Sequence, residues 1–157
     1  MTDYYLDASA LVKRYAEEPG SDWIREITGP LAQNAVLLAE ITLAEVAAAL
    51  AAKHRLSAGI SRAQRDRALS RFLQDCDERF LLMPVDRAVI DRAVELTQAH
   101  RLRGYDAVQL AAALVAGDTL ASENLPPPVF VASDGDLLVA AQAEALTVED
   151  PVDHTTT

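Results

Sequence analysis

The sequence predicts an α/β protein: three layers, α/β/α, with helices on both faces of a mostly parallel sheet of four or five strands. Three observations lead there. Short apolar runs alternate with longer stretches of helical periodicity, the pattern of strand–helix–strand units whose crossovers bring strands side by side in parallel. Half of the 157 residues are apolar, enough for a sizeable core and too many for a disordered chain. No long linker and no internal repeat interrupts the alternation. Residues 1–150 therefore read as one domain, followed by a polar tail over 151–157 that is expected to fray.

Taken in order, the first strand is Tyr4–Asp7, and a helix over Ala8–Glu17 follows it directly. A second helix covers Ser21–Thr28. Val36–Ala39 forms the next strand and leads into a helix over Ile41–His54. Ser61 is a good N-cap for a helix over Ser61–Glu78, because its hydroxyl can accept from a free backbone N–H of the first turn. In that helix Ala68, Leu69, Phe72, Leu73 and Cys76 fall on one side at a spacing of about 3.6 residues. Phe80–Pro84 is a strand, and helices follow over Arg87–Ala99 and Tyr105–Ala116. Pro126-Pro127-Pro128 enforces an extended lead-in to a strand at Val129–Ser133. A helix over Leu137–Glu144 and a strand at Ala145–Val148 complete the pattern.

Composition excludes several classes. One cysteine, Cys76, rules out an internal disulfide and a cysteine metal cage, and fits a reducing cytoplasm. The N-terminus has no basic segment followed by an apolar run, so no secretory leader is expected. The longest strongly apolar run, Ala107 to Gly117, is far short of the roughly 20 residues a membrane helix needs, and no membrane association is expected. Net charge is −10, unevenly spread: −4 over residues 1–54, +3 over 55–103 and −9 over 104–157, where no lysine or arginine occurs. So acidic a chain argues against general nucleic-acid binding by phosphate neutralisation. It leaves room for a nuclease that meets phosphate locally.

Candidate chemistry lies in four carboxylates. Asp7 ends the first strand, and Asp134 follows the strand "VFVAS". Ligands of open parallel sheets bind outside the carboxyl ends of the strands, so both acids arrive at one edge. Asp106 heads "AVQLAAALVAG", which is apolar all round and reads as buried. Glu45 sits among Ala, Leu and Val in "ITLAEVAAAL". Each has a plain alternative. Asp7 and Asp134 suit helix N-caps. Glu45 lies three residues after Thr42, the spacing of a capping box. Asp106 suits a first helical turn. Together the alternatives weaken, because acids near an apolar interior need partners and cations are scarce. Lys13 and Lys53 are the only lysines, and no basic residue follows Arg103 apart from His154. An all-oxygen set suits Mg²⁺, or Mn²⁺, rather than zinc. His54, His100 and His154 lack metal-binding spacing and read as packing or surface residues. Ser9 and Ser133 neighbour Asp7 and Asp134, either as hydrogen-bond partners of the acids or as caps.

The blocks "YYLDASALVKRYAEEPGS", "ITLAEVAAAL", "RLRGYDAVQLAAAL" and "VFVASDGDLLVAA" resemble, in order and over nearly the whole chain, the successive motifs of a PIN domain. More narrowly they resemble the VapC-type ribonuclease toxins of toxin–antitoxin pairs. The resemblance implies a PIN-like fold and a catalytic, metal-holding quartet of Asp7, Glu45, Asp106 and Asp134, with Asp136 as a further acid in "SDGD". It implies Mg²⁺-dependent endoribonuclease activity, a cognate antitoxin whose C-terminal segment obstructs the site, and a homodimer. Trp23 and Ile24 are candidate contacts for self-association, with core burial as the favoured alternative for Trp23. Arg101 and Arg103 are candidate phosphate contacts, with plain surface residues as the alternative. A haloacid-dehalogenase-type phosphatase would need a second Asp where Ser9 stands and a late lysine; a receiver domain fails by the same missing lysine. The reading from another class is a PIN-like binding module that works through its protein partner without turnover.

Overall fold

Five parallel strands form the sheet of the computed structural model, which describes residues 1–155. In chain order the elements are β1 (Asp3–Leu6), α1 (Ala8–Tyr15), α2 (Ser21–Ile27), β2 (Ala35–Ala39), α3 (Ile41–Arg55), α4 (Arg62–Glu78), β3 (Leu81–Met83), α5 (Arg87–Ala99), α6 (Gly104–Ser122), β4 (Val129–Val131), α7 (Gly135–Ala143) and β5 (Val148–Glu149). The strand order is β3-β2-β1-β4-β5. Tyr5 lies beside Leu37 on one side and Phe130 on the other.

Side chains of a strand alternate between faces, and β1 supplies both cores. Tyr5 joins Leu37 and Phe130 beneath α5, α6 and α7, where its ring stacks on Phe130 at 5.6 Å. Leu6 joins Leu38 and Val131 beneath α1 to α4, with Leu11, Val46, Leu50 and Phe72. These six strand side chains are 6% exposed or less. Burial of that order contributes roughly 1.5–3 kcal/mol for each large side chain. The three-layer α/β/α reading therefore holds.

Local signals explain most boundaries. Ser61 and Gln64 form a capping box at the head of α4: the Gln64 N–H donates to Ser61 Oγ at 3.1 Å, and the Ser61 N–H to Gln64 Oε1 at 2.8 Å. On that helix Ala68, Phe72 and Cys76 are buried, whereas Leu73 is exposed, one position off the buried stripe. The helix α6 runs beyond the expected Ala116 to Ser122. Gly117 does not stop it: it lies inside the helix, where a Cβ would meet the Pro127 ring at an ordinary contact distance of 3.4 Å. The last strand forms at Val148–Glu149 rather than Ala145–Val148, since Ala145 takes a left-handed φ of 68° to end the α7 turn.

Two further expectations need correction. Ile24 is fully buried under the sheet and is no contact for self-association, while Trp23 is half-buried against Tyr4 and His154. The tail is ordered over Pro151–His154 as a 3₁₀ turn. His154 stacks on Trp23 at 3.9 Å, and Gly20, at φ 91°, leaves room for the Pro151 carbonyl. The rest of the expected tail, Thr156 and Thr157, lies outside the described residues.

Candidate active site

The sheet order reverses at β1. Chain entering β2 and β3 builds to one side, and β4 and β5 lie on the other. A crevice opens at the carboxyl ends of the strands flanking such a switch point. Asp7 follows β1 and Asp134 follows β4, and the Asp7 N–H donates to the Val131 carbonyl at 3.1 Å. Both acids also cap helices. Asp7 Oδ1 accepts from the Ala10 N–H at 3.0 Å, and Asp134 Oδ1 from the Leu137 N–H at 3.0 Å. Capping and a place at the site are thus compatible, because each cap uses one carboxylate oxygen.

Ser9 ties these two strand ends together. Its hydroxyl donates to the Asp7 carboxylate, with oxygens at 2.7 and 2.9 Å, and accepts from the Ser133 N–H at 2.9 Å. Ser133 Oγ is buried with no hydrogen-bond partner among the described residues. An orphaned hydroxyl beside Asp134 leaves one donor and acceptor for a ligand or water.

Glu45 departs from the capping-box alternative. The helix α3 starts at Ile41, so Thr42 is inside its first turn, and Glu45 Oε1 accepts from Gln109 Nε2 at 2.9 Å. Asp106 stands in the first turn of α6, half-buried. A cleft of about 430 Å³ is lined by Asp106, Asp134, Asp136, Arg101, Arg103 and His100. Both candidate phosphate arginines therefore border the acids.

Electrostatics links the four. Burial pushes Asp7 up to about 7, helped by the charges of Glu45 and Asp106 and opposed by the Ser9 and Ala10 hydrogen bonds. Burial also raises Glu45, opposed by the Gln109 bond and helped by Asp106. Asp106 is raised by burial and by Asp134, against Arg103. Among the described residues, no lysine, arginine or histidine pairs with any of the four. Repelling carboxylates without counter-charge, all oxygen donors, fit a hard divalent cation. Among the described residues, no group of three or more Asp, Glu, His or Cys side chains is placed to hold a metal ion. Asp106 and Asp134, with Asp136, line the cleft, while Asp7 is buried behind it and Glu45 is not part of its lining.

Composition hides two of the residues that build this site. Tyr5 is spent on a strand and Gln109 on an apolar helix, yet the Tyr5 hydroxyl donates to Gln109 Oε1 at 2.8 Å behind Glu45. One signal was available: Gln109 is the single polar side chain in "AVQLAAALVAG", one helical turn after Asp106.

Comparisons with known proteins agree with the architecture. Residues 4–125 match the PIN domain family, a span that includes Asp7, Glu45 and Asp106. Two curated relatives from Mycobacterium tuberculosis, ribonuclease VapC45 and ribonuclease VapC49, are each 35% identical over 118 residues, covering 73% of this chain and 76% of the relative. Among solved structures, PAE2754 from Pyrobaculum aerophilum superposes with a TM-score of 0.60 at 22% identity, covering 97% of this chain and 85% of that one. A toxin–antitoxin complex from Klebsiella pneumoniae gives 0.57 at 19% identity, covering 94% and 97%. Mycobacterium tuberculosis VapC20, a sarcin–ricin-loop-cleaving toxin, gives 0.58 at 16% identity, covering 87% and 94%. The parallel five-stranded sheet, the acids at its switch point and the match over most of the chain lead to one conclusion: this protein belongs to the PIN-domain family, with VapC ribonucleases among its relatives.

Proposed function

We propose that this chain is a Mg²⁺-dependent endoribonuclease that acts in the cytoplasm as the toxin of a type II toxin–antitoxin pair. The observation that carries the reading is the linked set Asp7, Glu45, Asp106 and Asp134 at the β1/β4 switch point, paired with no basic side chain among the described residues. Names of the curated relatives point to ribonuclease activity, and the Klebsiella pneumoniae neighbour, itself a toxin–antitoxin complex, points to an antitoxin partner. Asp7, Glu45, Asp106 and Asp134 would hold Mg²⁺, with Mn²⁺ as an alternative, and a bound ion would supply an activated water and offset charge on the phosphodiester. Burial raises the Asp7 carboxyl to about 7, so cation binding there would be linked to release of a proton. Ser9 keeps the Asp7 and Asp134 ends in register. Arg101 and Arg103, exposed at the cleft rim, hold flanking phosphates of the RNA. For the homodimer, Ile90 and Val94, exposed one turn apart on α5, replace the buried Ile24 as apolar contacts.

The test is cleavage of a panel of structured RNAs, including a sarcin–ricin-loop RNA, by the purified chain. Cleavage should require Mg²⁺ or Mn²⁺, leave 5′-phosphate ends and stop with chelator. Asp7→Asn should lower it on the order of a thousandfold, the scale set by removing one group from a preorganised charge-stabilising site. Cation binding to the folded state should also raise the melting temperature of the wild type, and less that of Asp7→Asn. A chain that binds antitoxin but cuts no RNA with either metal would sink the enzyme reading in favour of a binding module.

A further inference from the structure

Glu45 differs from the other acids in how it is held. Asp7 and Asp134 have short side chains fixed by their own helix caps. Glu45 is longer, half-buried, and caps nothing. A free glutamate side chain has rotamer entropy to lose before it can serve as a fixed ligand. Its one side-chain hydrogen bond among the described residues comes from Gln109 Nε2 at 2.9 Å.

Gln109 has little freedom of its own. It is 1% exposed. Its amide nitrogen also donates to Thr42 Oγ1 at 2.9 Å, and its carbonyl oxygen accepts from the Tyr5 hydroxyl at 2.8 Å. The orientation is forced by chemistry. An ionised carboxylate can only accept, so the NH₂ faces Glu45 and the carbonyl must face a donor. Both amide hydrogens and the carbonyl are then used. Tyr5 is fixed in turn by its stacking on Phe130.

The placement of this amide matters as much as its bonds. Tyr5 stands on β1 two residues before Asp7, Thr42 on α3 one turn before Glu45, and Gln109 on α6 one turn after Asp106. A single buried side chain therefore joins the three elements that carry Asp7, Glu45 and Asp106. We propose that Gln109 is a positioning residue of the site: locked by Tyr5 and Thr42, its amide holds the Glu45 carboxylate facing Asp106. The proposal rests on the metal-dependent reading above for its use, but the aiming itself can be tested without turnover.

Two measurements do so. In a metal-free crystal structure of Gln109→Met, which keeps the length of the side chain and removes its donors, Glu45 should leave its present position or become disordered. Isothermal calorimetry with Mn²⁺ alone should show affinity lowered about tenfold or more, the usual consequence of removing a group that orients a metal ligand. Adding Gln109→Met to Glu45→Gln should cost no further affinity, because Gln109 acts through Glu45. Tyr5→Phe, which keeps the ring stack and removes only the donor behind Gln109, should show a smaller loss in the same direction and guards against misfolding of the first variant. Glu45 unmoved in Gln109→Met, or a Gln109→Met loss that adds in full to that of Glu45→Gln, would overturn the proposal and mark Gln109 as a core residue only. If wild-type protein binds no Mn²⁺ while Glu45 still moves, the metal reading fails and the aiming stands.

Discussion

Two carboxylates, Asp7 and Asp75, are both withdrawn from water, and the protein treats them in opposite ways. Asp75, on α4, is surrounded by donors: Arg14 Nε at 3.0 Å, Arg79 Nη1 at 2.9 Å and the Tyr15 hydroxyl at 2.6 Å. Burial pushes its carboxyl up, but these partners outweigh burial and leave it below the usual range. The network continues to Thr28 through both arginines and so staples α1, α2 and α4. Asp7 receives one hydroxyl and one backbone N–H, faces Glu45 and Asp106, and ends near 7. The same side chain is a finished structural joint in one corner and a carboxyl without a basic partner in the other. A buried charge left unpaired costs stability, and Asp7 responds by holding its proton up to about pH 7.

The comparison can be broken most severely through pH. The folded-state pKa of Asp7 lies above its ordinary value near 4, so between about pH 4 and 7 the native protein holds a proton the unfolded chain has lost. Stability of the metal-free protein should therefore fall as pH rises through that window, by up to about 4 kcal/mol at about 1.4 kcal/mol per unit. Asp7→Asn should flatten the profile. Denaturant titrations at several pH values check this, and an unchanged slope in the variant would show that Asp7 is not strained.

Asp75 should behave in reverse. Asp75→Ala strands Arg14 and Arg79 and should cost about 3 kcal/mol, the lower end for removing one member of a largely buried pair. RNA cleavage per folded molecule should stay near wild type. Urea midpoints and cleavage rates measured on one preparation separate the two effects.

Arg103 is the intermediate case. It lowers the Asp106 carboxyl from nearby but makes no ion pair among the described residues. Arg103→Ala should raise the KM for RNA roughly tenfold, as for one charged hydrogen bond, and leave kcat nearly unchanged. A fall in kcat with constant KM would instead tie Arg103 to the acids rather than to the substrate.

What the sequence determined by itself was local or periodic. Alternating apolar runs fixed the layers, the Ser61–Gln64 capping box set the head of α4, and strand-end acids marked the edge where Asp7 and Asp134 meet. Their capping role and their site role were both legible, because a cap depends only on the next three residues. The tertiary structure decided what depends on distant partners. Thr42 and Glu45 have capping-box spacing, yet Gln109, 64 residues further along the chain, claims Glu45. Ile24 and Trp23 are neighbours in sequence, but one is sealed under the sheet while the other stacks on His154. The helix α6 runs through Gly117 to Ser122, past the expected end at Ala116. Hydrogen-bond partners across the fold and the room left between packed elements are set by the assembled layers, and no local pattern encodes them.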